Sequence, residues 1–292
     1  MNDCGLTSSL IAAGWSAPDL LFNTYDGYDG KFLNFKFYDL TSNDVSKRIH
    51  VNISDKLLAQ KKIDDHVRYL QPCAHTLNLI ESWPGLLEKA FLKLRKDQQM
   101  GENVDDSKFD FDTYDVLDHF SPRDALYHIL GLTADRIDLS TEKQELIESK
   151  IYSLCNWTPN NRIMSENFPL IYAIRTPATI SSKKNFDDVE DPDPDIEPNH
   201  YYPILGMVDG DSLVLKNQLN DFTMDKKKMI TGGVNILIKG EENHMVIEPQ
   251  QCVFRVKITE LAKYFSIMNF IHPDDLEPIT RTYLESIKHG GK

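Results

Sequence analysis

No stretch of this chain holds the roughly 18–20 consecutive apolar residues that a membrane-spanning helix needs, so insertion into a bilayer is not expected. Positive charge is also in short supply. Lys and Arg number 32 against 45 Asp and Glu, a formal net charge of -13 at pH 7. That balance argues against double-stranded nucleic acid or an anionic membrane surface as a general partner. Cysteine is scarce, with Cys4, Cys73, Cys155 and Cys252 widely scattered. Four are too few and too dispersed for a disulfide scaffold in a chain of 292 residues. Cys73 and His75 form only a lone pair, short of a zinc-site pattern. A reducing compartment follows as the expectation, with Cys73, Cys155 and Cys252 structural or incidental. The first residues lack a basic region leading into an apolar core, so no secretory signal is read and a cytoplasmic location is expected.

The 292 residues, 41% of them hydrophobic, suffice for one large domain or two medium ones with a real core. A first helix is expected from about Cys4, with Leu6, Leu10 and Ile11 on its apolar face and Gly14 and Pro18 limiting its end. Residues 25–56 read as antiparallel strands, most clearly in the alternation of Arg48 to Ile53. Residues 81–94 form an amphipathic helix pattern, with Trp83, Leu87, Ala90, Phe91 and Leu94 on one side. The polar, acidic stretch 95–118 reads as a linker or surface loop, which puts a lobe boundary near 115. Further on, 140–153 reads as helix and Leu170–Ile174 as a buried strand. The acidic, proline-punctuated run 183–199 reads as an exposed loop. Tyr201–Leu205 and Ser212–Leu215 read as a hairpin about Asp209-Gly210-Asp211. More strand is expected at 234–238 and 245–258, a short helix at 259–265, and a last strand at 266–271.

Cys4, His200 and Asn217 supply the residue types of a cysteine hydrolase. That chemistry needs a thiolate, an imidazole to hold and move its proton, and an amide to fix the imidazole ring. A cysteine opening a helix has its thiolate favoured by the orphan N–H groups and the dipole, whereas Asp3 beside it would act the other way. His200 and Asn217, at the two outer ends of the expected hairpin, could meet.

Several blocks, in order, resemble the catalytic core of the calpains, papain-like cysteine proteases. Asn2-Asp3-Cys4-Gly5-Leu6 is similar to the family's Gly-Asp-Cys-Trp-Leu. Ile49 to Leu57 is similar to its strand followed by Asp-Asp-Arg-Leu-Pro. Trp83-Pro-Gly-Leu-Leu-Glu88-Lys89-Ala90-Phe91-Leu-Lys93-Leu94 is similar to its Trp-x-x-Leu-Leu-Glu-Lys-Ala-Tyr-x-Lys helix and is the most specific of the set. His200 to Asn217 and Cys252 to Phe265 complete the match, over about 1–275.

The resemblance implies an α+β, papain-like two-lobe fold. A helical lobe, 1–115, would carry the nucleophile Cys4. An antiparallel β lobe, 116–275, would carry His200 as general base and acid and Asn217 orienting it. Residues 276–292 would be a C-terminal helix or tail. The active site would lie in the cleft, and an intracellular endopeptidase would act on a protein or peptide substrate, with regulatory domains or a partner protein possible. Ca2+ is a possible cofactor by the same resemblance; the chain has no Asp-x-Asn-x-Asp-Gly loop, and no ligands are assigned. Departures from the pattern are specific. Gly5 replaces the Trp after the cysteine, and Gln218-Leu219 replaces Pro-Trp after the Asn. The family's oxyanion Gln would lie before the three residues that precede Cys4, which leaves either a longer natural chain or a differently built oxyanion hole. Two alternatives stand beside the protease: a catalytically inactive calpain-like domain in protein binding or regulation, and an acyl-transfer enzyme such as a transglutaminase or deamidase on the same fold.

Overall fold

The computed structural model describes residues 4–42, 44, 46–55, 83–109, 112–117, 120–154, 178–183, 196–208, 211–216, 234–237, 244–247, 253–272, 274–276 and 278. Cys73, Cys155, Cys252, Asn217 and the expected strand 170–174 lie outside them.

Helix α1 runs from Cys4 to Ser16 and is buried on nearly every side, as its small and apolar sequence CGLTSSLIAAGWS allows. Pro18 starts the short α2, Pro18–Phe22, where a missing N–H costs nothing. Three antiparallel strands follow in the order β1 (Tyr25–Tyr28), β2 (Phe32–Tyr38), β3 (Arg48–Ser54). Phe35 and Phe37 of β2 and Val51 and Ile53 of β3 point to one buried face, as period-two alternation requires.

That face packs on α3, Trp83–Met100, through Leu87, Ala90, Phe91 and Leu94. The Phe37 and Phe91 ring centroids lie 4.6 Å apart. Trp83, expected on the same apolar side, is 41% exposed and touches Phe22 instead. The helix also runs on through Arg95–Met100, which the sequence reading assigned to a linker. Arg95, Lys96, Gln98, Gln99 and Met100 are strong helix formers, and the Lys93–Asp97 ion pair, four residues apart, supports the turn.

Three charges in α3 are buried: Glu88, Lys89 and Lys93. Lys89 Nζ lies 2.7 Å from Asp106 Oδ2 and 2.7 Å from Ser54 Oγ. Ser54 donates both its N–H and its hydroxyl to the same carboxylate oxygen, each at 2.8 Å. Burial pushes the Asp106 carboxyl up, but Lys89 and Ser54 outweigh it and hold it below its ordinary 3.8. Lys93 Nζ bonds Asp97 at 3.0 Å and the Val104 carbonyl at 2.7 Å, closing the loop after α3.

Helix α4, Pro122–Leu130, begins at Ser121 and ends at Gly131, whose φ of 71° is the left-handed conformation of a helix stop. A Cβ on Gly131 would lie 2.2 Å from the Tyr38 ring, so two requirements meet there. Residues Leu117 to Ala134 belong to the same core as α1 and α3; a second core begins at Leu139. Among the described residues before 265, the buried core changes between Ala134 and Leu139.

The second core fills one face of a six-stranded antiparallel sheet. Its strands are β4 (Asp135–Asp138), β5 (Ala178–Ser182), β6 (Tyr201–Val208), β7 (Ser212–Lys216), β10 (Val253–Lys257) and β11 (Phe265–Phe270), in the order β10-β7-β6-β5-β11-β4. Strands β8 (Val234–Leu237) and β9 (His244–Ile247) form a separate pair. Helix α5, Gln144–Leu154, covers the sheet's apolar face with Ile147, Ile151 and Leu154, and α6, Leu261–Tyr264, leads into β11. The chain is thus mixed α and β, with antiparallel sheets and, among the described residues, two cores. After β11, Ile271 and Leu276 return to the first core.

Candidate active site

Residues paired across an antiparallel sheet share a face. Ile137, Met268, Ile180 and Tyr202 form one such row, and the last three are fully buried in the second core. The alternate rows, Arg136-Asn269-Thr179-Pro203 and Asp138-Ile267-Ser181-Tyr201, belong to the opposite face. That face is far more polar, yet Thr179, Ser181 and Asn269 are buried. Helix α1 covers it, packing against β5 and β6 on one side and α4 on the other.

Helix α1 packs along strand β6. Near the helix end, the Trp15 Nε1–H donates to the Leu205 carbonyl at 2.6 Å. Back from Trp15 to Cys4 the helix covers about 16 Å. Back from Leu205 to His200 the strand covers about the same distance. Cys4 and His200 thus lie at similar distances from that bond along the two elements. The charge of Cys4 acts on Tyr201, the residue next to His200.

Cys4 is half-buried and opens a 13-residue helix, where the dipole and the first-turn N–H groups favour its thiolate. The start of α1 is held unusually close to its neighbour. A Cβ on Gly5 would lie 1.9 Å from the Phe120 carbonyl oxygen. Only glycine fits there, which gives a physical reason for the absence of a Trp after the cysteine. The Ser8 and Ser9 hydroxyls donate to the Gly5 carbonyl at 3.1 and 2.8 Å, and Ser9 also reaches the Pro122 carbonyl at 3.2 Å.

His200 is 7% exposed. Asn199 before it takes φ 55°, a left-handed turn that asparagine tolerates better than most residues. The His200 N–H donates to Ser182 Oγ at 2.8 Å, and its carbonyl accepts the Ser182 N–H at 2.9 Å. The Asn199 N–H donates to the Lys183 carbonyl at 3.1 Å, so both ends of the acidic segment 183–199 are pinned together. Its centre, 184–195, lies outside the described residues. The His200 ring meets Tyr202 edge-on at 4.8 Å, and Tyr202 is fixed in turn by Phe254 and Phe265. Asn217 lies outside the described residues, but β7 ends one residue earlier, at Lys216. Antiparallel pairing of β7 with β6 brings that end to the end of the sheet where β6 begins.

Tyr201 is the residue that the sequence reading passed over. It is half-buried, on the α1 side of the sheet. Burial raises its phenol above the ordinary 10.0, the Cys4 charge raises it further, and Arg136 opposes both. The signal was available, since alternation from the core residue Tyr202 turns Tyr201 to the other face.

Among the described residues, no group of three or more His, Cys, Asp or Glu side chains could hold a metal ion, and none is assigned to Ca2+. An open polar hollow of about 380 Å3, lined by His50, Asn52, Asp97, Gly101, Glu102 and Asn103, contains none of the expected site residues. No helix among the described residues is long and apolar enough to cross a membrane. No protein-family model and no curated protein matches the chain.

Proposed function

We propose that the protein is an intracellular calpain-like cysteine endopeptidase on a papain-like two-lobe fold, making limited cleavages in protein substrates. The reading is supported by the packing of α1 along β6 and by the charge of Cys4 acting on Tyr201, the residue next to His200. In this reading His200 takes the Cys4 Sγ proton as the sulfur attacks the scissile carbonyl carbon. The C–N bond of the tetrahedral intermediate then breaks, and His200 returns the proton to the leaving amine. Water, deprotonated by His200, hydrolyses the thioester and regenerates the thiol. Asn217 holds the imidazole in the tautomer this sequence needs.

A second reading, an inactive calpain-like domain that binds or regulates a protein partner, has its own support. The block most similar to the family spends its charges on the fold, because Lys89 and Lys93 tie α3 to Ser54, Asp106 and Val104. Such a block would persist without catalysis. The two readings separate on hydrolysis of quenched fluorescent peptide libraries and an unfolded protein. The protease reading expects turnover that Cys4→Ala and His200→Ala abolish and Asn217→Ala slows. A wild-type signal equal to that of Cys4→Ala would favour the binding domain.

A further inference from the structure

Strand β3 stands at the edge of the three-stranded sheet, and its register shows which main-chain groups face outward. The Lys36 N–H of β2 donates to the Thr24 carbonyl at 2.8 Å, on the side away from β3. Phe35 and Phe37 therefore turn their groups toward their partners Val51 and Ile49. By the same alternation His50, Asn52 and Ser54 turn theirs to the open edge. Ser54 agrees with this: its N–H meets Asp106 at 2.8 Å and its carbonyl meets Lys89 at 3.2 Å. His50 and Asn52 have no such cover, and their main-chain groups make no hydrogen bond among the described residues. After α3 the chain returns toward β3 only at Asp106, and the polar hollow fills the gap that remains. His50 and Asn52 line it from the strand, Asp97, Gly101, Glu102 and Asn103 from the end of α3 and the loop beyond. At ordinary strand rise, strand spacing and sheet depth an extended residue fills about 160 Å3, so a hollow of about 380 Å3 takes about two. The charges around it are uneven. Lys93 is tied to Asp97 and Lys36 to Asp26, which leaves the exposed Glu102 without an ion pair among the described residues.

We propose that the open edge of β3 binds an extended, lysine- or arginine-bearing segment of a protein partner, which adds a strand at His50 and Asn52 and sets its cation beside Glu102. Main-chain hydrogen bonds to those two residues hold the segment, as an unpaired strand edge allows. The Glu102 carboxylate selects its charge. The inference does not depend on the reading of Cys4.

The test is amide hydrogen exchange on the full chain, read residue by residue by NMR. The probes are an end-blocked Thr-Val-Lys-Val-Thr peptide, its analogue with Glu at the centre, and copies N-methylated on alternate residues in either phase. In the free protein the His50 and Asn52 amides should exchange faster than those of Val51 and Ile53, which are bonded to β2. Millimolar Lys peptide should slow both. One phase of N-methylation should weaken that effect about tenfold, since it removes the paired donors. Glu102→Gln should weaken it about 2–5-fold, and an unchanged melting temperature shows that this exposed substitution leaves the fold alone. His50 and Asn52 amides already slow in the free protein, or not slowed by the Lys peptide, would overturn the proposal. Equal effects of the Lys and Glu peptides would overturn the basic partner. Slowing that grows with protein concentration and needs no peptide would assign the edge to a second copy of the chain and overturn it as well.

Discussion

Replacing Gly5 by alanine sets two effects of opposite sign against each other. In a helix interior alanine is more favourable than glycine by about 1 kcal/mol. Here, however, the new Cβ would lie 1.9 Å from the Phe120 oxygen, 3.1 Å from its carbonyl carbon and 3.2 Å from Pro122 Cδ. Two of these atoms are backbone and the third belongs to a ring closed on the backbone, so no side-chain rotation relieves the clash. Ordinary contact begins near 3.4 Å, so α1 and the 120–122 segment must part by about 1.5 Å. The Ser9 bond to Pro122 spans that same gap and would be weakened too. Overpacking of this kind costs about 3 kcal/mol, at the upper end of the usual range. The net loss is then about 2 kcal/mol, or about 4–8 °C in melting temperature for a chain of this size. Scanning calorimetry reads the midpoint, and the iodoacetamide rate at Cys4 reads displacement of the neighbouring residue. A Gly5→Ala protein that melts at or above the wild-type temperature would refute the reasoning, because helix propensity alone would then have decided the outcome.

Other perturbations give separate checks. Lys89→Met leaves Asp106 buried without its cation and is expected to destabilise by about 3–5 kcal/mol in urea titrations; a loss under 1 kcal/mol, roughly a surface value, would contradict the buried network. His128 donates from Nδ1 to the Tyr38 carbonyl at 2.7 Å, and its Nε2 is buried with no hydrogen-bond partner among the described residues. Burial holds its pKa below the ordinary 6.5, so the unfolded chain takes up a proton first as pH falls. Stability should therefore drop as pH falls below 6.5, level off at the folded pKa, and gain nothing above 6.5. His128→Gln should flatten that part of the slope in urea midpoints taken between about pH 7.5 and about pH 5; an unchanged slope would count against it. Trp15→Phe removes the bond to Leu205, at a cost of about 1 kcal/mol, and should slow Cys4 alkylation severalfold if that bond aligns α1 on β6.

Local pattern carried much of the fold. The start of α1 at Cys4, the alternation of Val51 and Ile53, the apolar stripe of α3 and the β6–β7 hairpin all follow from periodicity over a few residues. Polarity misled where it was taken for irregular structure. Arg95 to Gln99 are polar because they lie toward the exposed end of a helix, and Asp97 is occupied by Lys93. Trp83 was counted with the core on helical spacing, but it sits in the first turn, beyond the cover of β2 and β3. What sequence could not show was tertiary. Nothing local says that Gly5 meets the Phe120 carbonyl, or that the first core continues to Ala134. For the candidate site, sequence offered residue types at Cys4 and His200, whereas the packing of α1 along β6 and the face that Tyr201 takes appear only in the assembled sheet.

The central claim is that His200 activates Cys4. Intact-mass measurement after treatment with an irreversible peptide epoxide tests it most directly, on wild-type, Cys4→Ala and His200→Ala proteins, each with and without Ca2+. The account predicts one adduct per chain at Cys4 in the wild-type protein and none in either variant. Labelling at Cys4 that is as fast without His200, or no selective labelling in either condition, would contradict it.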